Sequence, residues 1–219
     1  GETVDKERIL KGLEQAVITG RKDASIRYAN RALKEDIPVL EAINSGLIKG
    51  MMVVGDRYSA HKIFLPQVLL AADSMYAALD ILLPHLPREE ASRRLNIIIG
   101  VVEGDVHDIG KNIVKTMLTA AGFNVVDLGK DRSDEDFVTG AKEHHAHVVA
   151  MSTLMTPTMD SMKASVDALV EDGGRKELWI IIGGAPTSQE FAEEIGADMH
   201  AVDAQEAVRK LRSVTKRRD

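Results

Sequence analysis

Five short apolar runs, rich in valine and isoleucine, alternate with amphipathic stretches in the second half of the chain. Strands without polar alternation are buried on both faces of a sheet, and helices between them connect strands that run parallel. The pattern therefore predicts an α/β domain, a doubly wound, flavodoxin-like sheet of five parallel strands with helices on both faces. The predicted strands are residues 95–102, 123–129, 146–152, 178–184 and 197–203.

The first half of the chain has a different periodicity. Apolar residues recur there every three or four positions, which is typical of amphipathic helices. We predict four or five helices packed as a bundle, with Gly20 ending the first of them. The two clearest apolar stripes are Ile9, Leu13 and Val17, and Ile26, Ala29 and Leu33.

A stretch rich in proline and charge separates the two halves. The sequence LPHLPREEASRRL, residues 83–95, has two prolines and little apolar content, which is typical of a linker. We therefore predict a helical cap domain at residues 1–87, a linker at 88–94 and an α/β domain at 95–219.

Composition excludes several classes of function. The net charge of −6 argues against a general nucleic-acid surface, which needs a basic face. The chain has no cysteine, so any metal must be held by histidine, carboxylates or a prosthetic group. No apolar run approaches the ~20 residues of a membrane-spanning helix, and the charged start GETVDKERIL is unlike a signal peptide. We expect a cytoplasmic protein that binds neither nucleic acid nor membrane.

Three polar loops follow the first, third and fourth predicted strands. Their sequences are EGDVHDIGK, STLMTPT and GGAPTS. An open parallel sheet binds ligands beyond the carboxyl ends of its strands, where the strand order reverses. Because these loops all leave their strands at that edge, we expect a ligand site there.

The stretch GDVHDIGKN, residues 104–112, does not match the common phosphate-binding loops. Five residues and not four separate Gly104 from Gly110, and Asn112 stands where a Walker loop has Ser or Thr. The glycine pair that opens a dinucleotide fingerprint is missing too. The His-Asp pair of metal-dependent phosphohydrolases belongs to helical bundles, whereas this pair is predicted between a strand and a helix. A lone surface histidine remains the alternative to a binding role.

The same stretch resembles the D-x-H-x-x-G signature of cobalamin-binding domains. Two further elements of that family, S-x-L and a Gly-Gly pair after the fourth strand, follow in the expected order. The segment GLIKGMMVVGDRYSAHKIFLPQVLLAADSMYAAL resembles the helical cap of methionine synthase and of free-standing corrinoid proteins, so the resemblance covers almost the whole chain. The matching positions are Asp105, His107 and Gly110, then Ser152 and Leu154, then Gly183 and Gly184.

This resemblance implies that His107 is an axial ligand to the cobalt of a corrinoid, replacing the cofactor's own nucleotide base. A carboxylate on the other ring nitrogen fixes the tautomer of such a ligand, and Asp105 is the candidate. The resemblance also implies a hydroxyl group that forms a hydrogen bond with the aspartate. Thr158 is the matching position, and a helix N-cap is its alternative role. Asp108 is expected to cap the helix that begins near Ile109. The expected catalytic residues are thus His107, Asp105 and Thr158.

The displaced nucleotide tail is expected to enter the sheet domain, where glycines allow close backbone approach. Ser152 and Thr156 are expected to donate hydrogen bonds to the tail, although a threonine before a proline is also typical of a turn. Asp203 and Ala204 are expected at the exit of the tail. The expected cofactor contacts in this domain are Gly104, Asp105, Val106, His107, Asp108, Ile109, Gly110, Ser152, Leu154, Thr156, Gly183, Gly184, Asp203 and Ala204.

The cap is expected to shield the opposite face of the corrin ring and to move aside for partner enzymes. Its expected contacts lie in YSAHKIFLPQV, and ordinary bundle core is an equal alternative for them. They are Tyr58, Phe64, Leu65 and Val68. A zinc site at His144, His145 and His147 is a weaker hypothesis than a solvated helix terminus, because no fourth ligand is evident.

By resemblance, the chain is a methyl-carrying corrinoid subunit and not a complete enzyme. Its cofactor is cobalamin or a related corrinoid that alternates between methyl-Co(III) and Co(I). The methyl group comes from a substrate-specific methyltransferase for methylamine, a quaternary amine, methanol or a similar donor. A second methyltransferase passes it to coenzyme M or tetrahydrofolate, and a reductive activator protein restores Co(I).

Three alternatives remain at this point. A cobalamin-sensing regulatory protein would need a helix-turn-helix module and a basic patch, which the N-terminal helices do not show. The small subunit of an adenosylcobalamin mutase would lack the cap. A cofactor-free signalling module would leave His107 without a role.

Overall fold

The computed structural model describes residues 2–87 and 94–217. The chain divides into two compact units, one of residues 1–94 with 120–122 and one of residues 95–119 with 123–219. Of the predicted linker at 88–94, residues 88–93 lie outside the described part of the chain.

The first unit is helical. A π-helical turn, Ile43–Ile48, joins α3 to α4 without a break, and a 3₁₀ turn, Leu83–His85, follows α5. Gly20 has a φ of +65° just after α1, so it stops that helix as predicted. The helices are α1 (Glu2–Ile18), α2 (Lys22–Lys34), α3 (Val39–Ala42), α4 (Lys49–Ser59) and α5 (Leu65–Leu82).

The two apolar stripes lie on helices as predicted but differ in burial. All three stripe residues of α1 are fully buried. On α2, Ala29 is fully buried, whereas Ile26 is exposed and Leu33 is only partly buried. Small side chains form the inner face because they let α2 approach α5, where the Ser25 hydroxyl donates to the Ser74 carbonyl at 2.6 Å. That face is Ala24, Ser25, Ala29 and Ala32.

Helix α5 corrects the expectation about apolar runs. Together with the turn after it, at residues 65–85, it is long and apolar enough to span a membrane by length and composition alone. Its residues Met75, Ala78 and Leu82 are fully buried in the helical unit, and the Ser74 hydroxyl donates to the Ala16 carbonyl at 2.9 Å. We therefore assign α5 as a core helix of that unit.

The second unit is a five-stranded parallel sheet of order β2-β1-β3-β4-β5, which confirms the predicted doubly wound, flavodoxin-like fold. Its strands are β1 (Asn96–Val102), β2 (Asn124–Arg132), β3 (Val148–Ser152), β4 (Trp179–Gly183) and β5 (Met199–Ala201). Its helices are α6 (Ile109–Ala120), α7 (Asp134–Glu143), α8 (Met159–Glu171), α9 (Gln189–Ile195) and α10 (Ala204–Arg212).

The central strands are buried on both faces, as their apolar sequences predict. Six of the seven residues of β1 and four of the five of β3 are buried. The fully buried Phe137 of α7 lies so close to Gly100 that a side chain there would meet its ring at 3.0 Å. The strand order reverses between β1 and β3, so the loops after these two strands border the crevice in which such sheets bind ligands.

Candidate functional site

Hydrogen bonds join the loops that follow β1, β3 and β4. The Leu154 N–H, just after β3, donates to the Asp105 carboxylate in the loop after β1 at 2.7 Å. The Thr153 N–H donates to the Gly183 carbonyl at the end of β4 at 3.2 Å. The three predicted loops therefore form one structure at the carboxyl edge of the sheet.

His107 and Asp105 form the centre of this structure. The Nδ1 atom of His107 lies 2.7 Å from Oδ1 of Asp105, and the His107 main-chain N–H donates to the same oxygen at 2.9 Å. An ionised carboxylate only accepts hydrogen bonds, so Nδ1 carries the proton and Nε2 keeps its lone pair. The Asp105 side chain is completely buried whereas that of His107 is half exposed. The arrangement fixes the tautomer of a metal-binding imidazole.

The buried Asp105 carboxylate stays ionised because donors surround it. Burial raises the pKa of Asp105, but hydrogen bonds from the Leu154 and His107 N–H groups, the His107 ring and the Thr153 hydroxyl outweigh burial and lower this pKa to about 2. Oδ2 accepts from Leu154 and Thr153, and Oδ1 accepts twice from His107. The carboxylate is a fixed negative charge behind the imidazole.

The hydroxyl on Asp105 belongs to Thr153 and not to Thr158, which corrects the expectation. Oγ1 of Thr153 lies 3.0 Å from Oδ2 of Asp105, and Oγ1 of Thr158 lies 2.5 Å from Oγ1 of Thr153. The single hydroxyl hydrogen of Thr153 points to Asp105, and the Thr158 hydroxyl lies within reach of both the Thr153 oxygen and the Met155 carbonyl, the latter at 3.0 Å. Thr158 is also at the N-cap position of α8, but its side chain makes no capping hydrogen bond. The chain of contacts behind the imidazole therefore has four members, His107, Asp105, Thr153 and Thr158, where three were expected.

The predicted glycines have different surroundings. Gly184 has a φ of +120°, and a side chain there would lie 1.7 Å from the Thr153 carbonyl oxygen, so the loops can meet only through glycine. A side chain at Gly183 would lie 3.3 Å from the Ala201 carbonyl. No atom within 4 Å would meet a side chain at Gly110. Gly110 thus borders open space, as a close approach by a ligand requires.

Exposed apolar side chains surround the half-exposed imidazole. Val106, Ile109 and Leu154 each expose more than two fifths of their surface, although all three are large and apolar. Val106 precedes His107 in the loop after β1, Ile109 is the first residue of α6, and Leu154 donates its N–H to Asp105. Such a surface suits a flat, largely apolar ligand.

The remaining predicted contacts of this unit lie at the same edge of the sheet. Ser152 ends β3 and is half-buried, and the exposed Thr156 is the first residue of a 3₁₀ turn. The Asp108 carbonyl accepts the Asn112 N–H at 2.9 Å, so α6 begins there. The Asp203 carboxylate accepts the Glu206 N–H at 2.8 Å and caps α10, of which Ala204 is the first residue.

The predicted cap residues lie in the helical unit and differ in exposure. Phe64, at the N-cap of α5, is more than two thirds exposed, and Tyr58 near the end of α4 is about one third exposed. Leu65 is partly buried at the start of α5. Val68 is buried, so it matches the bundle-core alternative.

Sequence reasoning missed an ion pair at the start of α6. Lys111, buried although it is a lysine, lies with Nζ 2.6 and 2.7 Å from the two carboxylate oxygens of Asp127 on β2. Burial raises the pKa of Asp127, and the hydrogen bond and charge of Lys111 outweigh it, so this pKa is lowered. The pair anchors the helix that follows the His107 loop. The sequence feature that could have predicted this ion pair is a lysine in a mainly apolar helix face.

The three neighbouring histidines do not form a metal site in the structure. The Nδ1 atom of the buried His147 accepts the Asn96 N–H at 2.8 Å and is not available as a ligand. Within residues 2–87 and 94–217, no group of three or more histidine and acidic side chains is placed to hold a metal ion.

Comparison with protein families identifies B12 binding domains in both halves of the chain. Residues 95–212 match one such family and residues 9–83 match a second. The first match covers the whole sheet with its connecting helices, and the second covers the helical unit.

Relatives resemble the chain over almost its full length. Dimethylamine corrinoid protein 2 of Methanosarcina acetivorans is 43% identical over 210 residues, which are 95% of this chain and 97% of the relative. A cobalamin-binding protein of Desulfitobacterium hafniense, solved by crystallography, has a TM-score of 0.75 at 33% identity, covering 93% of this chain and 97% of that one. In the methanol:cobalamin methyltransferase complex MtaBC of Methanosarcina barkeri, one chain has a TM-score of 0.80 at 29% identity, covering 96% of this chain and 82% of that one.

Proposed function

The chain belongs to the B12-binding corrinoid proteins that carry methyl groups in methylamine methyltransferase systems, and we propose that His107 is the axial ligand to the cobalt of its corrinoid. One observation carries this assignment. The 2.7 Å contact of Nδ1 with Asp105 leaves Nε2, in a half-exposed ring, as the nitrogen with a free lone pair.

The residues at the sheet edge fit a corrinoid. A corrin supplies the cobalt with four ring nitrogens, so a single protein nitrogen suffices, in agreement with the absence of a multi-residue metal cluster from the described residues. The exposed apolar side chains beside His107 match the flat macrocycle. The open space beside Gly110 supports an approach of the nucleotide tail at this position. When bound, the corrinoid supplies a cobalt that accepts and releases a methyl group.

The chain's own residues hold and orient the imidazole. Asp105 keeps the proton on Nδ1 and its negative charge raises the basicity of Nε2. The Thr153 hydroxyl donates to Asp105 and contacts the Thr158 hydroxyl in turn, so two threonines lie behind the carboxylate.

We propose a methylamine, and dimethylamine first, as the source of the methyl group. The 43% identity to a dimethylamine corrinoid protein over nearly the whole chain supports this choice. The partners are then a methylamine-specific methyltransferase, an acceptor methyltransferase that uses coenzyme M or tetrahydrofolate, and a reductive activator. The likeness to one chain of a methyltransferase complex supports a direct enzyme partner. We propose that these reactions take place in the cytoplasm.

Methylation by candidate partners tests this proposal. The full chain is loaded with cobalamin, reduced and mixed with methyltransferases for dimethylamine, trimethylamine, monomethylamine or methanol, each with its substrate. The visible absorbance of the cofactor reports methylation. We expect the dimethylamine enzyme to react fastest by about ten-fold or more, equivalent to about 1.4 kcal/mol of selectivity. Equal rates would contradict the choice of donor, and no methylation by any enzyme would contradict the carrier role.

A further inference from the structure

The far end of β2 departs from regular pairing beside the His107 loop. The register of β1 with β2 runs from Ile99 opposite Asp127 to Gly100 opposite Gly129 and Val102 opposite Arg132. Between these pairs β1 advances by three residues while β2 advances by five, so β2 contains two extra residues. Bulges of this kind bend a strand and redirect its side chains, often next to functional sites.

The bulged segment places Asp131 in an unfavourable backbone conformation. Its φ is +53°, in the left-handed region that costs most residues about 1 kcal/mol and that glycine adopts freely. Gly129, two residues earlier, has a φ of +97°. A second glycine at 131 would relieve the strain, so the side chain at this position needs another explanation.

The contacts of Asp131 supply that explanation. Its carboxylate Oδ1 accepts the Gly104 N–H at 2.8 Å, and its own N–H donates to the Asp105 carbonyl at 3.0 Å. These two residues lie at the start of the loop that contains His107, and Asp105 provides the carboxylate that holds the imidazole.

We propose that Asp131 is a positioning residue for His107. It holds the backbone of Gly104 and Asp105 from β2, while the Asp127–Lys111 pair holds the start of α6 at the other end of the loop. These two anchors together fix the orientation of the imidazole and its distance from the sheet. This inference rests on the proposed role of His107 as cobalt ligand.

Variants at position 131 distinguish the effect of backbone strain at this residue from the effect of its hydrogen bond to Gly104. Asp131→Gly removes the carboxylate and also the backbone strain, so the fold is retained. Asp131→Asn keeps both an acceptor oxygen and a tolerance for positive φ, and it is the conservative rescue. Asp36→Gly is the matched control, because Asp36 has a φ of +52° but lies in the helical unit.

Two readouts are measured on the full chain. In the cofactor-free protein, hydrogen exchange of the Gly104 amide by NMR should be about five-fold faster in Asp131→Gly. In the cobalamin-loaded protein, the absorbance spectrum is followed as the pH falls, and the pH at which half of the imidazole leaves the cobalt should rise by about half a unit, a three-fold weaker ligation. Asp131→Asn should restore most of both effects, and Asp36→Gly should show neither.

Two results would contradict this inference, and a third would contradict the proposed function. If exchange at Gly104 does not change in Asp131→Gly, the anchor does not exist, and the inference is wrong. If exchange accelerates while the ligation pH stays constant, Asp131 has only a structural role, and the inference is also wrong. A His107→Ala variant with the spectrum of the unaltered protein would instead overturn the proposed function.

Discussion

Oδ1 of Asp105 accepts two hydrogen bonds from one residue, the main-chain N–H and the ring Nδ1–H of His107, at 2.9 and 2.7 Å. The histidine is thus held at its backbone and at its ring by a single oxygen atom. The carboxylate is buried, and both of its oxygens accept hydrogen bonds. The orientation of the ring, and with it that of the Nε2 lone pair, therefore depends on the ionised side chain at position 105.

Replacing Asp105 by Asn should destabilise the sheet unit. Four hydrogen-bond donors converge on the carboxylate, and an amide NH₂ in place of Oδ2 would face the Leu154 N–H. A buried donor without a partner costs about 1–3 kcal/mol, so we expect Asp105→Asn to lose about 2 kcal/mol at pH 7. Urea unfolding followed by fluorescence measures this, because Trp179, the only tryptophan, lies in β4 of the sheet unit. A variant as stable as the unaltered protein would show that the donors do not need the charge.

Acid should remove the contribution of Asp105 to stability. Its folded pKa is lowered from 3.8 to about 2, so the folded state favours the ionised form. The gain is complete above about pH 5 and is lost as the pH falls towards 2, and it amounts to about 2 kcal/mol. The difference in unfolding free energy between the unaltered protein and Asp105→Asn should therefore shrink between pH 5 and pH 3. A difference that is constant over this range would contradict the lowered pKa.

The two threonines behind Asp105 should differ in effect. Thr153→Val removes the hydroxyl that donates directly to Oδ2 and should cost about 1 kcal/mol of stability above pH 5. Thr158→Val leaves that bond in place, so its effect on the acid titration of Asp105 should be smaller. Carbon-detected NMR of the Asp105 carboxyl in both variants measures its pKa directly. A larger pKa rise in Thr158→Val would mean that Thr158 is the direct partner.

Alanine at two of the glycines should separate folding from cofactor binding. In Gly184→Ala the new methyl would lie 1.7 Å from the Thr153 carbonyl oxygen in a positive-φ residue, so we expect a loss of more than about 2 kcal/mol. Gly110→Ala meets no atom within 4 Å and lies in the first turn of α6, so its stability should change by less than about 0.5 kcal/mol. Its affinity for cobalamin should nevertheless fall by about ten-fold. Unchanged affinity would mean that no part of the cofactor approaches Gly110.

The fold could be predicted from local patterns, and the centre of the site from the resemblance of residues 104–112 to the D-x-H-x-x-G signature. Runs of apolar residues separated by helices determine the parallel sheet, and its topology brings the loop after β1 next to the loop after β3. The pairing of His107 with Asp105, two residues apart in one loop, needs no distant partner.

The parts that were missed depend on geometry that such patterns do not contain. Thr153 reaches Asp105 because of how the chain turns at the end of β3, and Asp131 reaches Gly104 because of two extra residues in β2. A period-2 pattern does not reveal bulges. On α2 the periodicity indicates a buried face, but close helix packing selects the small residues next to Ile26 and Leu33 instead.

Electron paramagnetic resonance of the Co(II) form tests the central assignment most directly. The unpaired electron couples to the axial nitrogen, and ¹⁴N and ¹⁵N give different splittings because their nuclear spins differ. The protein is grown with ¹⁵N-histidine and loaded with unlabelled cobalamin, and His107→Ala serves as the control. We predict a doublet from ¹⁵N that disappears in His107→Ala. A triplet from ¹⁴N in the labelled protein would show that the cofactor's own base remains on the cobalt, and His107 would not be its ligand.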